Sequence, residues 1–167
     1  LDDKLYFIIG LVYLKRLFLQ DRPLEECLKE LFQTQFARYG WILDAWVILD
    51  NHYHLICQSR LGKDLPTIIR NIHSKSALKI LEQCVYEKPI WWNYWDYCPR
   101  DHKEYMIRQN YLLYNPAKHG YVTNLQEYPY SSFHEAFQQF GRDKLVEQFR
   151  SYPEYKTLQL IEAENDD

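Results

Sequence analysis

Two short strings hold the residues best suited to chemistry. The first is Asn51-His52-Tyr53-His54-Leu55-Ile56. It reads as a strand, and side chains alternate along a strand. His52 and His54 therefore share one face, while Tyr53 and Leu55 take the other. Two imidazoles at this spacing can converge on one divalent ion. Two ligands leave such a site incomplete, so a third must come from elsewhere in the chain. The ordinary alternative is a pair of hydrogen-bonding histidines on a half-exposed strand.

The second string is Tyr111-Leu112-Leu113-Tyr114-Asn115-Pro116-Ala117-Lys118-His119-Gly120. Tyr111 and Asn115 are i and i+4 on a helix, so they share a face. Asn115 offers a carbonyl oxygen, a hard ligand that suits a site with two imidazoles. Tyr111 offers a phenol one turn away. A phenol beside a metal-held phosphate can attack it and leave a covalent intermediate. The chain has 15 tyrosines, and packing is the ordinary role of any one of them.

The elements that must carry these strings follow from local pattern. Leu5 to Tyr13 is rich in aliphatic and aromatic residues and predicts a strand. Asp21-Arg22-Pro23 predicts a helix start, with Leu28, Leu31, Phe32 and Phe36 at helical spacing until Gly40. Trp41 to Leu49 and His52 to Gln58 predict a hairpin across Asp50-Asn51. Leu65 to Leu81 predicts a helix and Ile90 to Tyr97 a strand. Asp101 to Tyr114 predicts a helix capped by Asp101, ending or kinking before Pro116. Ser131 to Phe149 predicts one further helix. The order β-α-β-β-α-β predicts an α+β fold. It is a ferredoxin-like split βαβ antiparallel sheet, with helices on one face and the second face open for a site.

Composition bounds the rest. The chain has 167 residues, 47% hydrophobic and 17% aromatic, which supplies the core of one domain rather than two. The natural parse is a domain over residues 1–134 with a C-terminal helical extension over 135–167. No apolar run reaches the roughly 18 residues needed to cross a bilayer. Leu5 to Leu14 is broken by Gly10 and followed by Lys15-Arg16, so it reads neither as a spanning helix nor as a signal peptide. Cys27, Cys57, Cys84 and Cys98 form no C-x-x-C pair. They predict free thiols in a reducing cytoplasm rather than a zinc site or a disulfide framework.

Net charge is −3, which argues against a general nucleic-acid binder. The average conceals a distribution. Residues 60–120 hold 10 basic and 6 acidic side chains, while residues 121–167 hold 4 and 9.

Together the two strings carry a resemblance. The chain resembles the REP-associated tyrosine transposases, single-tyrosine members of the HUH nuclease superfamily. The family's P-N-H-x-H-L-hydrophobic strand is matched by Asp50 to Ile56. Its Y-I-x-x-N-P-hydrophobic-basic-x-G helix end is matched from Tyr111 to Gly120. Trp92-Asn93-Tyr94-Trp95-Asp96 and Tyr128-Pro129-Tyr130-Ser131-Ser132 look like two further family motifs. The chain departs from the pattern at Asp50 (Pro in the family), Tyr53 (aliphatic) and Ala117-Lys118-His119 (often Val-Arg-Ala).

The resemblance implies that His52, His54 and Asn115 hold Mg²⁺ or Mn²⁺ and that Tyr111 is the nucleophile. The implied reaction cleaves and rejoins single-stranded or hairpin-forming DNA through a 5′-phosphotyrosine link. The implied setting is the prokaryotic cytoplasm at the nucleoid, with no membrane partner. Both a homodimer and a monomer stay open. Candidate phosphate contacts are Arg70, Lys75 and Lys79, then Arg100, Lys103 and Arg108, and Lys118. Trp91, Trp92, Tyr94 and Trp95 could stack bases, although alternation lets only about half face one side. His119 stands near Asn115 in sequence. Two other readings remain: a domesticated DNA- or RNA-hairpin binder without turnover, and a metal-dependent phosphodiesterase that uses water and leaves Tyr111 dispensable.

Overall fold

The computed structural model describes residues 1–82 and 89–160. Cys84 and the last seven residues of the extension lie outside that range. Four strands form one sheet: β1 (Leu5–Val12), β2 (Ile42–Ile48), β3 (His52–Gln58) and β4 (Trp91–Tyr97). Their order is β2-β3-β1-β4, and every neighbouring pair is antiparallel. Two helices, α1 (Arg22–Arg38) and α2 (Leu65–Leu81), complete the ferredoxin-like β-α-β-β-α-β unit.

The central strands are buried on both faces, which is why β1 reads as a continuous apolar run. The edge strands β2 and β4 expose part of their length. One face of the sheet carries Ile8, Gly10, Tyr53 and Leu55, which the register places side by side beneath α1 and α2. The other carries Phe7, Ile9, Leu11, His52, His54 and Ile56. That second face is not open. A third helix, α3 (His102–Lys118), lies across it.

Gly10 decides how β3 is seated. A β-carbon there would fall 2.2 Å from Tyr53 Cζ, so only glycine lets this ring lie across β1. The fully buried Tyr53 packs on Phe32 and Trp91, and its hydroxyl meets His73 Nε2 at 2.9 Å. His73 stacks on Trp91 at 4.3 Å, and Trp91 Nε1 donates to Ser76 Oγ at 2.9 Å. The residue between the two histidines thus anchors β3 in the helical layer. Strand alternation then turns His52 and His54 to the far side.

Two further expectations require correction. First, α3 runs through Pro116 to Lys118 instead of stopping before it. A helical proline removes one backbone donor and crowds the carbonyl four residues back. Here it falls in the last turn, and Tyr111, Leu112, Leu113, Asn115 and Pro116 are all buried against the body of the protein. Tertiary packing overrides the local preference. Second, the predicted helix over Ser131 to Phe149 is two helices, α4 (Phe133–Phe140) and α5 (Arg142–Ser151). They are separated by Gly141 at φ 77°, a left-handed conformation that favours glycine. Asp101 caps α3 as its type suggests, its Oδ1 accepting from Glu104 N at 2.8 Å.

The segment from Tyr128 to Ser132 closes the outer edge of β2. Ile48 N donates to Tyr130 O at 3.0 Å, Ser132 N to Trp46 O at 2.8 Å, and Tyr128 Oη to Ile48 O at 2.6 Å. Further along, the Asn110 amide of α3 donates to Gln148 O and Tyr152 O at 3.1 and 3.2 Å. Tyr155 packs on Tyr114. Cys27, Cys57 and Cys98 are free thiols. Among the described residues, no helix is long and apolar enough to cross a membrane.

Candidate active site

His52 and His54 project from β3 onto the face beneath α3, both buried, with ring centroids 5.1 Å apart and ring planes nearly perpendicular. A neighbour fixes the first ring. Asn51 Nδ2 donates to the backbone carbonyl of Lys15 at 3.1 Å, so Asn51 Oδ1 must be the atom 2.7 Å from His52 Nδ1. An amide oxygen only accepts, so Nδ1 carries the proton and Nε2 the lone pair. This is how a ring is held ready for a cation. The sequence alone does not assign Asn51 this role; its place beside His52 is the signal that points to it. The second ring, His54, stacks on Phe7 at 5.5 Å.

From above, α3 lowers Tyr111 onto these rings and carries Asn115 one turn further along. Tyr111 meets His54 edge-on at 5.7 Å and Phe7 at 6.5 Å. Its side chain is 1% exposed. Asn115 is fully buried, and neither atom of its amide has a hydrogen-bond partner among the described residues. Leaving a buried polar group unsatisfied costs about 1–3 kcal/mol. Such a group asks for a ligand, and a carbonyl oxygen beside two imidazoles is a donor set that fits a divalent cation.

Lys118 comes from the end of the same helix. Its ammonium donates to the Tyr111 hydroxyl and lies 4.4 Å above the Tyr111 ring centre. His119 follows, its ring 5.3 Å from that of His52. Beside them opens a cavity of about 640 Å³, lined in part by His52, His119, Lys15, Lys118 and Lys156. Three lysines around one mouth favour an anionic occupant. What this assembly can do is hold a phosphate beside two imidazoles, with a phenol oxygen and an ammonium at hand.

The other candidate phosphate contacts lie apart from this group. Arg70, Lys75 and Lys79 sit on α2, so the sheet separates them from the site, and Lys79 pairs with Glu82 at 3.0 Å. Arg100 is bound to Glu104, whose carboxyl it holds down to about 2. Lys103 pairs with Glu154 at 2.6 Å. Arg108 does face the sheet beneath α3, its guanidinium stacked 4.0 Å from the Tyr97 ring. Of the aromatic candidates, Trp91 is core, while Trp92 is 54% exposed.

Comparison with known proteins identifies the family of the chain. The family model described as Transposase IS200 like matches residues 4–100, a stretch that contains His52 and His54 and ends before α3. A Haemophilus influenzae protein provisionally named a REP-associated tyrosine transposase is 30% identical over 145 residues, covering 77% of this chain and 82% of the relative. The REP-associated tyrosine transposase of Escherichia coli is 31% identical over 96 residues, covering 55% and 54%. Among solved structures, a REP-associated tyrosine transposase bound to a REP hairpin superposes with a TM-score of 0.67 at 25% identity, covering 81% of this chain and 79% of that one.

Proposed function

The chain belongs to the IS200-like transposase family, in its REP-associated tyrosine transposase branch, and we propose that it cuts and rejoins hairpin-forming single-stranded DNA through Tyr111. The observation that supports this reading is that two distant stretches of the sequence bring His52 and His54 together with Tyr111, with Asn115 one helical turn from that tyrosine. His54 on β3 lies against Tyr111 on α3 and beside His52, and the Asn115 amide on that helix is buried with no partner among the described residues. A packing or purely binding role makes no demand for that set.

In the proposed reaction the phenol oxygen of Tyr111 attacks the scissile phosphorus. A bond from Tyr111 to phosphorus forms, and the bond from phosphorus to the 3′ oxygen breaks. Tyr111 gives up its phenol proton, the leaving 3′ oxygen takes one up, and the strand is left as a 5′-phosphotyrosine link and a free 3′-hydroxyl. Attack by a second 3′-hydroxyl reverses the step and completes strand transfer without an external energy source. Mg²⁺ or Mn²⁺ held by His52, His54 and Asn115 would supply Lewis-acid stabilisation of charge on a non-bridging phosphate oxygen. Asn51 keeps His52 in its ligating orientation, and Lys118 steadies the phenol oxygen. Hairpin DNA as substrate follows the solved relative, which is bound to a REP hairpin.

The test uses a labelled single-stranded hairpin oligonucleotide with Mg²⁺ or Mn²⁺. An adduct that survives denaturation and is lost in Tyr111→Phe supports the reading. Cleavage without an adduct transfers the chemistry to water. Binding without cleavage makes the chain a hairpin-binding protein.

A further inference from the structure

We propose that Tyr13 and Trp92 form a stacking platform for a base of the single-stranded DNA that enters or leaves the site. The inference rests on the reading above and adds a path for the strand. The rings of Tyr13 and Trp92 lie 5.2 Å apart and 30° from parallel at the β1/β4 end of the sheet, where the register of the two strands shifts. Trp92 is 54% exposed and Tyr13 half-buried. An aromatic face held open in this way is accessible to a flat ligand.

Three observations join this pair to the site. Tyr13 sits between Leu11 and Lys15, and both of those line the cavity that contains His52 and Lys118. The turn that presents it is tied to the histidine strand, because the Lys15 carbonyl accepts from the same Asn51 amide that orients His52. The turn is also strained: Leu14 and Lys15 are consecutive non-glycine residues at φ 53° and 50°. Such conformations are unfavourable and persist only where surrounding contacts hold them. A basic cavity lined by Leu11 and Lys15, the residues two places either side of Tyr13, together with the exposed aromatic pair matches the two needs of a single strand. Lysines neutralise phosphates, and an aromatic face takes an unpaired base regardless of its identity. Paired bases already stack on one another, so the platform selects single strands.

The experiment compares two labelled probes by fluorescence anisotropy: an oligothymidylate, and an abasic chain of the same length with the same phosphates. Trp92→Ala is expected to weaken the oligothymidylate by about 5- to 150-fold, the range of one lost base stack, and to leave the abasic chain unchanged. Trp92→Phe restores most of the loss. Lys15→Gln weakens both probes and lowers the slope of log affinity against log salt by about 0.7. Thermal unfolding of Trp92→Ala near the parental temperature confirms the fold, as expected for an exposed side chain. Equal loss on both probes, no loss on either, or tighter binding of the matching oligouridylate overturns the proposal. These arms read binding alone. An adduct at Tyr111 without any effect of Trp92→Ala removes only the platform. A base-dependent effect without an adduct removes only the catalytic reading.

Discussion

The ammonium of Lys118 donates a hydrogen bond to the phenol oxygen of Tyr111, from a position seven residues further along the same helix. The pair is made within α3, so it does not depend on DNA to form. As a phenol oxygen attacks phosphorus it loses its proton, and a positive donor beside it stabilises the charge that develops. Lys118→Ala should therefore slow adduct formation by about 100-fold, at the lower end of what loss of one charge-stabilising donor does. Lys118→Arg should recover part of the rate. Single-turnover kinetics at saturating DNA separates this from weaker binding, because an effect confined to phosphate attraction would vanish at saturation.

Asn115 sets stability against function. Its amide is buried without a partner among the described residues, which opposes folding in the absence of a ligand. Asn115→Leu keeps similar size and removes the unsatisfied group. It should raise stability by about 1–2 kcal/mol, or a few degrees in Tm, while abolishing the adduct. Added Mn²⁺ should raise the Tm of the parent protein and not that of the variant. A fall in the Tm of the metal-free variant would show that the amide is satisfied in solution.

The sequence made the two halves of this site legible because each depends on a local period. Alternation put His52 and His54 on one face, and helical spacing put Tyr111 and Asn115 on another. The order of elements carried the sheet as well. What did not show was anything that depends on distant contacts. The helix survives Pro116 only because Asn115 and its neighbours are buried, and Asn51 acquires a role only when the Lys15 carbonyl turns its amide. The basic residues of α2 look like those of α3 in sequence, but the sheet stands between them and the site. The motif from Tyr128 to Ser132, suggestive of function by resemblance, closes the edge of β2 by backbone bonding.

Gly10 offers a structural test of how β3 is seated. Its α-carbon faces the ring of Tyr53, and no room remains for a methyl group. Gly10→Ala should destabilise the protein by about 3 kcal/mol, roughly 6–12 °C in Tm. Replacing Tyr53 by leucine in the same chain should recover part of that loss, since the clash is with the ring. A Gly10→Ala protein that melts like the parent would mean that β3 can shift without cost, and that the facing of His52 and His54 is set by something other than Tyr53.

The pH dependence of stability should have two opposed limbs. Burial pushes the His73 imidazole down to about 3 from its ordinary value near 6.5. Between those values the unfolded chain takes up a proton that the folded one refuses, so stability is lost as pH falls through that window. Burial pushes the Glu25 carboxyl the other way, up to about 7 from about 4.5. Between those values the unfolded chain releases a proton that the folded one keeps, so this contribution is lost as pH rises. His73→Phe retains a ring to stack on Trp91 and should flatten the acid limb while lowering stability at neutral pH through the lost Tyr53 bond. Where the two windows overlap, between pH 4.5 and 6.5, the slopes offset each other, so Glu25→Gln should make stability rise more steeply with pH there and should remove the fall as pH approaches 7. Chemical denaturation across this range reads both slopes. An acid limb unchanged in His73→Phe would place its origin in other groups, with the histidines of the site the next to be replaced.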